Sequence, residues 1–202
     1  MSGMKALWLK QPWPTLIAIG IKKWETRGAP PNGPMRPFGV RGMPGLAIEP
    51  GERIAIVASL AKPAEGTEVG AFTVEAWRDM PIERCLQGPF DPGRGYRPFY
   101  GLPLGEVVCT VVVAEALPIM EDADDLADEP ALIEAAPNGS KLVLYAEGDS
   151  DGTDISDQIP YGDWAPGRWA WRLTDVAQVE PGHLPQVTRG NRQGVCEIEV
   201  TW

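Results

Sequence analysis

Apolar positions in this chain fall into short runs separated by long stretches rich in proline and glycine. The first run, KALWLK at 5–10, has the length and composition of a strand. In PWPTLIAIG, Pro12 and Pro14 suit a first helical turn, whose N–H groups have no intrahelical partner, and Gly20 is placed to end the short helix. Residues 22–27 read as extended, with Lys22 and Trp24 on one face and Lys23, Glu25 and Arg27 mainly on the other. RIAIVASL at 53–60 is apolar almost throughout and predicts a strand buried on both faces. Residues 69–79 predict a helix with Val69, Phe72, Ala76 and Trp77 inward, stopped by Pro81.

EVVCTVVVAEAL at 106–117 is the strongest strand signal, because valine, threonine and cysteine suit a pleated, buried position. Residues 121–136 predict an acidic helix broken by Pro130, with Leu126, Leu132 and Ile133 facing in. Strands are expected at 141–145, at 168–179 and in the closing GVCEIEVTW. In that last segment Cys196, Ile198, Val200 and Trp202 alternate with Val195, Glu197, Glu199 and Thr201. About six or seven strands with two or three short helices, not regularly interleaved, exclude a doubly wound parallel sheet. The expectation is an α+β fold: a mixed, barrel-like sheet flanked by short helices. It forms one domain over 1–202, with loop-rich insertions at about 28–51, 88–104 and 119–163, the last of them acidic.

Charge changes the picture in one place. The 202 residues carry a net charge of −10, which argues against duplex DNA as a partner, since a long phosphate backbone calls for a basic face. Yet 12 of the 28 acidic residues and only Lys141 of the 18 basic ones lie between Glu121 and Asp157. The remainder is close to neutral, which leaves room for a local basic site. Cys85, Cys109 and Cys196 are far apart, so no disulfide framework is indicated and a reducing compartment is expected. The lone His183 and these cysteines have no zinc-ligand spacing, so no metal or cofactor is expected. No signal peptide or membrane-length apolar run is visible, which points to a cytoplasmic protein.

The chemistry concentrates in GIKKWETRG, Gly20 to Gly28. An arginine beside a lysine lowers the lysine's pKa and a nearby glutamate raises it again. Lys22, Glu25 and Arg27 together could bind a phosphate or carboxylate, hydrogen-bond a base edge, or move protons. The plain alternative is a solvated, mutually neutralised strand, because exposed ion pairs are common and contribute little.

Gly20-x-Lys22-x-x-Glu25-x-Arg27 resembles the G-x-K-x-x-E-x-R signature of the ASCH domain (activating signal cointegrator homology), a branch of the PUA-like fold. The likeness extends to LKQPWPTLIAIG, with Lys10 where arginine is usual, and to GERIAIVAS, ending in Ser59. It continues through GLPLGEVVCTVVVAEAL and GRWAWRLTDVAQVEP to RGNRQGVCEIEV, with Cys196 where an aromatic is common. The five blocks keep the family's order, cover about half the chain and reach both ends.

The resemblance implies a PUA-like mixed β-barrel with a cleft that takes RNA or a modified nucleoside or nucleotide. Some ASCH proteins are amidohydrolases that deacylate N4-acetylcytidine, and at least one lineage includes ribonucleases. Their catalytic lysine corresponds to Lys22, but their nucleophilic threonine falls at Glu25; Glu106 matches a second carboxylate only by rough position. Two readings follow. In the favoured one, Lys10, Lys22, Arg27 and Arg192 neutralise phosphate, Trp13 or Trp24 stacks on a base, and Gln11, Glu25 and Ser59 complete a site for single-stranded RNA or a nucleoside. In the other, the protein is a hydrolase, with Lys22 as base or oxyanion stabiliser and Glu25 activating water.

Other features carry less. EGDSDGTDISDQ at 147–158 partly matches a calcium loop, but its twelfth position is Gln158 rather than glutamate, and a solvated acidic loop is favoured. Within YGDWAPG, Trp164 is a weaker cleft candidate. TRGNRQG at 188–194 reads either as a phosphate-holding loop with Arg189 or Arg192, or as an ordinary turn.

Overall fold

The computed structural model describes residues 3–28, 47–60, 68–69, 72–73, 102–121, 131–136, 140–145, 152–180, 182–190 and 195–200. Twelve strands, one α-helix and one 3-10 helix are found among them. In chain order they are β1 (Met4–Leu9), α1 (Trp13–Ala18), β2 (Trp24–Arg27), β3 (Glu52–Ala58), β4 (Glu68–Val69), β5 (Phe72–Thr73) and β6 (Val107–Met120). There follow β7 (Leu132–Ala135), β8 (Leu142–Tyr145), β9 (Thr153–Asp154), the 3-10 helix Ser156–Tyr161, β10 (Trp169–Gln178), β11 (Gln186–Gly190) and β12 (Val195–Glu199).

Ten strands form one mixed sheet in the order β11-β12-β1-β3-β6-β7-β8-β9, with β10 pairing β6 and β2 pairing β10. The pairs β1–β3 and β6–β7 are parallel, and the others in this sheet are antiparallel. The sheet is not closed among the described residues, so a barrel is not seen; the observed fold is a mixed β-sheet with few, short helices.

Strand alternation explains why the sheet is covered on both faces. Leu7, Leu9, Ile54, Ile56, Cys109, Val111, Trp171 and Leu173 project to one face, where α1 adds Ile17 and Ala18. Ala6, Trp8, Ala55, Val57, Cys196 and Ile198 project to the other. A third core, around Trp24, Leu117, Ile119, Ile133, Leu142, Trp164 and Ala170, lies where β6 outruns β3 and pairs with β7. Trp171, Leu7 and Ile54 are fully buried; each such side chain contributes on the order of 2 kcal/mol. Burial on both faces is why the apolar runs at 53–58 and 107–113 are continuous rather than alternating.

Three expectations are corrected. Val69, Phe72 and Thr73 belong to a short hairpin, not a helix over 69–79, in keeping with their β-branched and aromatic character. Residues 132–135 form β7, not helix, because β6 runs on to Met120 and Ile119 and Met120 offer a parallel edge to Ile133 and Glu134. Within TRGNRQG, Thr188 to Gly190 belong to β11, paired with β12. Residues 29–46 and 74–101, with Ala76 and Trp77 of the expected helix and Cys85 among them, lie outside the described residues, as do Leu126 and Trp202.

Candidate functional site

Gly20 sets up the site. Its φ of +77° is a conformation that costs any residue with a Cβ. With it the helix closes: Gly20 N–H donates to the Ile17 carbonyl and Ile21 N–H to the Leu16 carbonyl, both at 3.0 Å. That is the pair of bonds by which a left-handed C-terminal residue satisfies a helix end. Lys22 N–H also donates to the Leu16 carbonyl at 3.0 Å. The spacing Gly20-x-Lys22 therefore fixes the lysine's backbone directly against the end of α1.

Lys22 precedes β2 rather than lying in it, so the expectation that Lys22 and Glu25 point to opposite faces is overturned. Its ammonium turns back, 3.3 Å from Glu25 Oε2. It donates to the Trp24 carbonyl at 2.6 Å and to the Tyr161 carbonyl, and lies 5.2 Å from the centre of the Trp13 ring. Three N–H donors thus meet three oxygens. With 2% of its side chain exposed, Lys22 is a buried ion. Burial is the main influence and pushes its pKa below the ordinary lysine value of 10.5; Glu25 pulls it back up, and Arg27 adds a smaller push downward.

Glu25 and Arg27 alternate correctly along β2, sharing the face of their cross-strand partners Trp171 and Trp169. Glu25 Oε1 lies 3.0 Å from Arg27 Nε, so one carboxylate bridges two cations. The Arg27 Nε–H is not aimed along that short contact. Among the described residues, Nε and Nη2 are both buried without a hydrogen-bond partner, as is Ser59 Oγ. Of the three charged side chains, Arg27 retains donor capacity, and at 23% exposure it is the most accessible.

The other candidates divide. Gln11 is buried, donates to the Pro103 carbonyl at 2.8 Å and accepts from Thr15 Oγ at 3.0 Å, so its amide is engaged by the protein. Lys10 is exposed at the end of β1, and Ser59 is half-buried just after the adjacent β3. Trp13 is half-buried beside Lys22. Trp24 is 4% exposed in the third core and cannot stack on a ligand; its even position on β2 sends it to the face opposite Glu25. Trp164 is likewise core, its Nε1–H donating to the Gln158 carbonyl at 3.1 Å. Glu106 accepts from the Gly182 N–H at 2.9 Å. Arg192 lies outside the described residues, as do the side chain of Arg189 and residues 147, 149 and 151 of the acidic loop.

Thr26 shares the rear face. Its Oγ accepts from the Asp163 N–H at 2.9 Å, and Gly162 passes so close that an added Cβ would stand 2.9 Å from Thr26 Cγ2. The signature's one hydroxyl is thereby committed to structure.

The sequence reading missed Gln158 and Tyr161, both from the acidic segment. Gln158 is 2% exposed and hydrogen-bonds to the backbone of residues 21 and 23. The signal was present: Ile155 and Ile159, with Trp164 just beyond the helix, break an otherwise polar stretch and pack into the third core. Among the described residues no three His, Cys, Asp or Glu side chains are grouped to hold a metal, and no helix is long and apolar enough to cross a membrane. No protein-family model matches the chain, and no curated protein matches it.

Proposed function

We propose that the protein binds single-stranded RNA, or a modified nucleoside or nucleotide, in an ASCH-type cleft built around Lys22, Glu25 and Arg27. The observation that carries this reading is the buried pair of Arg27 donors, Nε and Nη2, which form no hydrogen bond among the described residues and lie beside Glu25. A buried guanidinium donor without an acceptor costs free energy, and a phosphate or base carbonyl is the acceptor its planar fork matches. Lys22 and Glu25 act behind it: the buried lysine neutralises the glutamate, and the glutamate orients the arginine. Ser59 Oγ supplies a further hydrogen-bonding group without a partner among the described residues.

The finer fold assignment, a PUA-like mixed β-barrel, belongs to the same proposal. Register shifts in the pairing of β6 with β3 and of β10 with β6 support it, since bulges curl a sheet.

Hydrolysis, whether deacylation of N4-acylcytidines or RNA cleavage, is the second reading. The lowered pKa of Lys22 favours it, because a lysine poised to lose its proton suits general-base work. Binding is preferred on geometry: the Lys22 ammonium already meets three protein oxygens, and the Thr26 hydroxyl faces away.

Titration of a fluorescent short single-stranded RNA against wild type and Arg27→Ala tests the binding reading. Loss of a charged hydrogen-bonding anchor weakens affinity by about tenfold or more. Equal affinity of the two proteins would exclude Arg27 as the anchor. Mass spectrometry of N4-acylated cytidines incubated with wild type and Lys22→Ala tests the second reading. Cytidine released by wild type alone would replace binding with hydrolysis.

A further inference from the structure

Residues 21–23 join α1 to β2 without belonging to either, so their backbone groups need partners from elsewhere. Ile21 and Lys22 N–H both donate to the Leu16 carbonyl, and the Lys23 carbonyl accepts from Leu173 N–H at 2.8 Å. The Ile21 carbonyl and the Lys23 N–H, which flank Lys22 on either side, are both taken by one side chain. Gln158 Nε2–H donates to the Ile21 carbonyl at 3.2 Å, and Gln158 Oε1 accepts from the Lys23 N–H at 2.9 Å. The second Nε2 hydrogen goes to Asp157 Oδ2 at 3.1 Å, so the amide's two N–H groups and its oxygen are all engaged. The same 3-10 helix ends at Tyr161, whose carbonyl accepts from the Lys22 ammonium.

We infer that Gln158 is a positioning residue for Lys22: its amide holds the peptides on both sides of the lysine, and its helix delivers the Tyr161 carbonyl onto the ammonium. The acidic insertion is then part of the site. Its 3-10 helix is one wall of the signature and keeps Lys22 inside, facing Glu25. Ligand affinity depends on Gln158 through the chain Lys22–Glu25–Arg27, a consequence that rests on the binding reading above; the placement of Lys22 does not.

The test follows the Lys22 side-chain Cε resonance by NMR through a pH titration without ligand, assigned with Lys22→Met. Gln158→Met keeps the volume of the side chain and removes its bonds to 21 and 23. Gln158→Asn, one methylene shorter, is the milder variant and cannot span both peptides. In wild type the lysine titrates below 10.5, because it is buried. In either Gln158 variant the titration moves up toward 10.5, as the ammonium gains solvent. An unchanged Lys22 titration in a folded Gln158 variant overturns the inference. Trp164→Phe removes a bond to the Gln158 backbone and spares its amide. An equal shift in that variant would mean general loosening and would also overturn it. Single-stranded RNA affinity is read in parallel, with about a tenfold loss expected in Gln158→Met. If wild type binds no RNA, the binding reading fails while the titration still decides the role of Gln158.

Discussion

Glu25→Gln isolates charge at the centre of the site. The substitution keeps the size of the side chain and an acceptor oxygen for Lys22, removes the negative charge, and turns an NH2 toward Arg27 in place of the second oxygen. At 3.3 Å and an effective dielectric constant of about 20, the Lys22–Glu25 attraction amounts to about 5 kcal/mol before desolvation is set against it. Removing one member of a buried pair and leaving the other uncompensated costs about 3–5 kcal/mol. The lysine itself sets a ceiling, because it can shed its proton instead. Neutralising a lysine of pKa 10.5 at pH 7 costs about 5 kcal/mol, at about 1.4 kcal/mol per pH unit. The expected loss at pH 7 is therefore about 3–5 kcal/mol, read by urea unfolding through the buried tryptophans.

The pH dependence gives a second check with a definite sign. Folded Lys22 has a pKa below its unfolded value of 10.5, so between those two values the unfolded chain holds more protons and stability rises with pH. In wild type the window runs from the folded pKa to 10.5; burial opens it and Glu25 opposes that. Without Glu25 the folded pKa falls further and the window widens, so the deficit of Glu25→Gln shrinks as pH rises from the variant's folded pKa to that of wild type. A loss below about 1 kcal/mol, or a deficit that stays constant with pH, would refute the picture of a buried, charged Lys22.

Cys109 gives the opposite slope. Burial pushes its thiol up to about 12 from 9.0, so it contributes stability that is lost as the unfolded thiol ionises above pH 9. Between pH 8 and pH 10 wild type should lose about 1.4 kcal/mol more than Cys109→Ala, measured by urea unfolding of both. Gly20→Ala meets no steric obstacle but must hold a positive φ, and should lose about 1–2 kcal/mol, with Gly20→Asn losing less. A tolerant Gly20→Ala would mean that the glycine is not needed to end α1. Gly162→Ala drives a Cβ against Thr26 Cγ2 and should cost about 1–3 kcal/mol. Thr26→Ser, which removes that methyl and keeps the hydroxyl, should recover part of the loss in the double variant.

Most of the sheet was legible because its strands are buried on both faces. The runs around Ile54–Ala58 and Val107–Val113 announce themselves by near-continuous apolar content and Trp169–Gln178 by alternation, and the structure places all three in the main sheet. The failures share a cause. Val69–Thr73 and Leu132–Ala135 are short, and two or three apolar residues in so few positions fit a helical face as well as a strand. Their type is decided by a partner edge: Phe72 for Val69, and the far end of β6 for Ile133. Nothing local in the sequence says that β6 outruns β3 and offers that edge.

At the site the legible part was the spacing and the illegible part was its depth. Alternation along β2 correctly put Glu25 and Arg27 on one face. It failed for Lys22, because the strand begins two residues later and the helix end holds the lysine's backbone. Composition made Lys22 a solvated charge, whereas three oxygens from Trp24, Glu25 and Tyr161 make it an internal one. Two of those oxygens are backbone carbonyls, and one belongs to a residue 139 positions away. No motif written in side chains can show such partners. The G-x-K-x-x-E-x-R spacing thus acts first as a folding device: the glycine ends a helix, the lysine joins strand to 3-10 helix, and the glutamate shares its charge. Arg27 is left with donors that form no hydrogen bond among the described residues. On the proposed binding reading, three residues supply order and the fourth recognition, which is why a ligand assay should begin at Arg27 and a stability assay at Glu25.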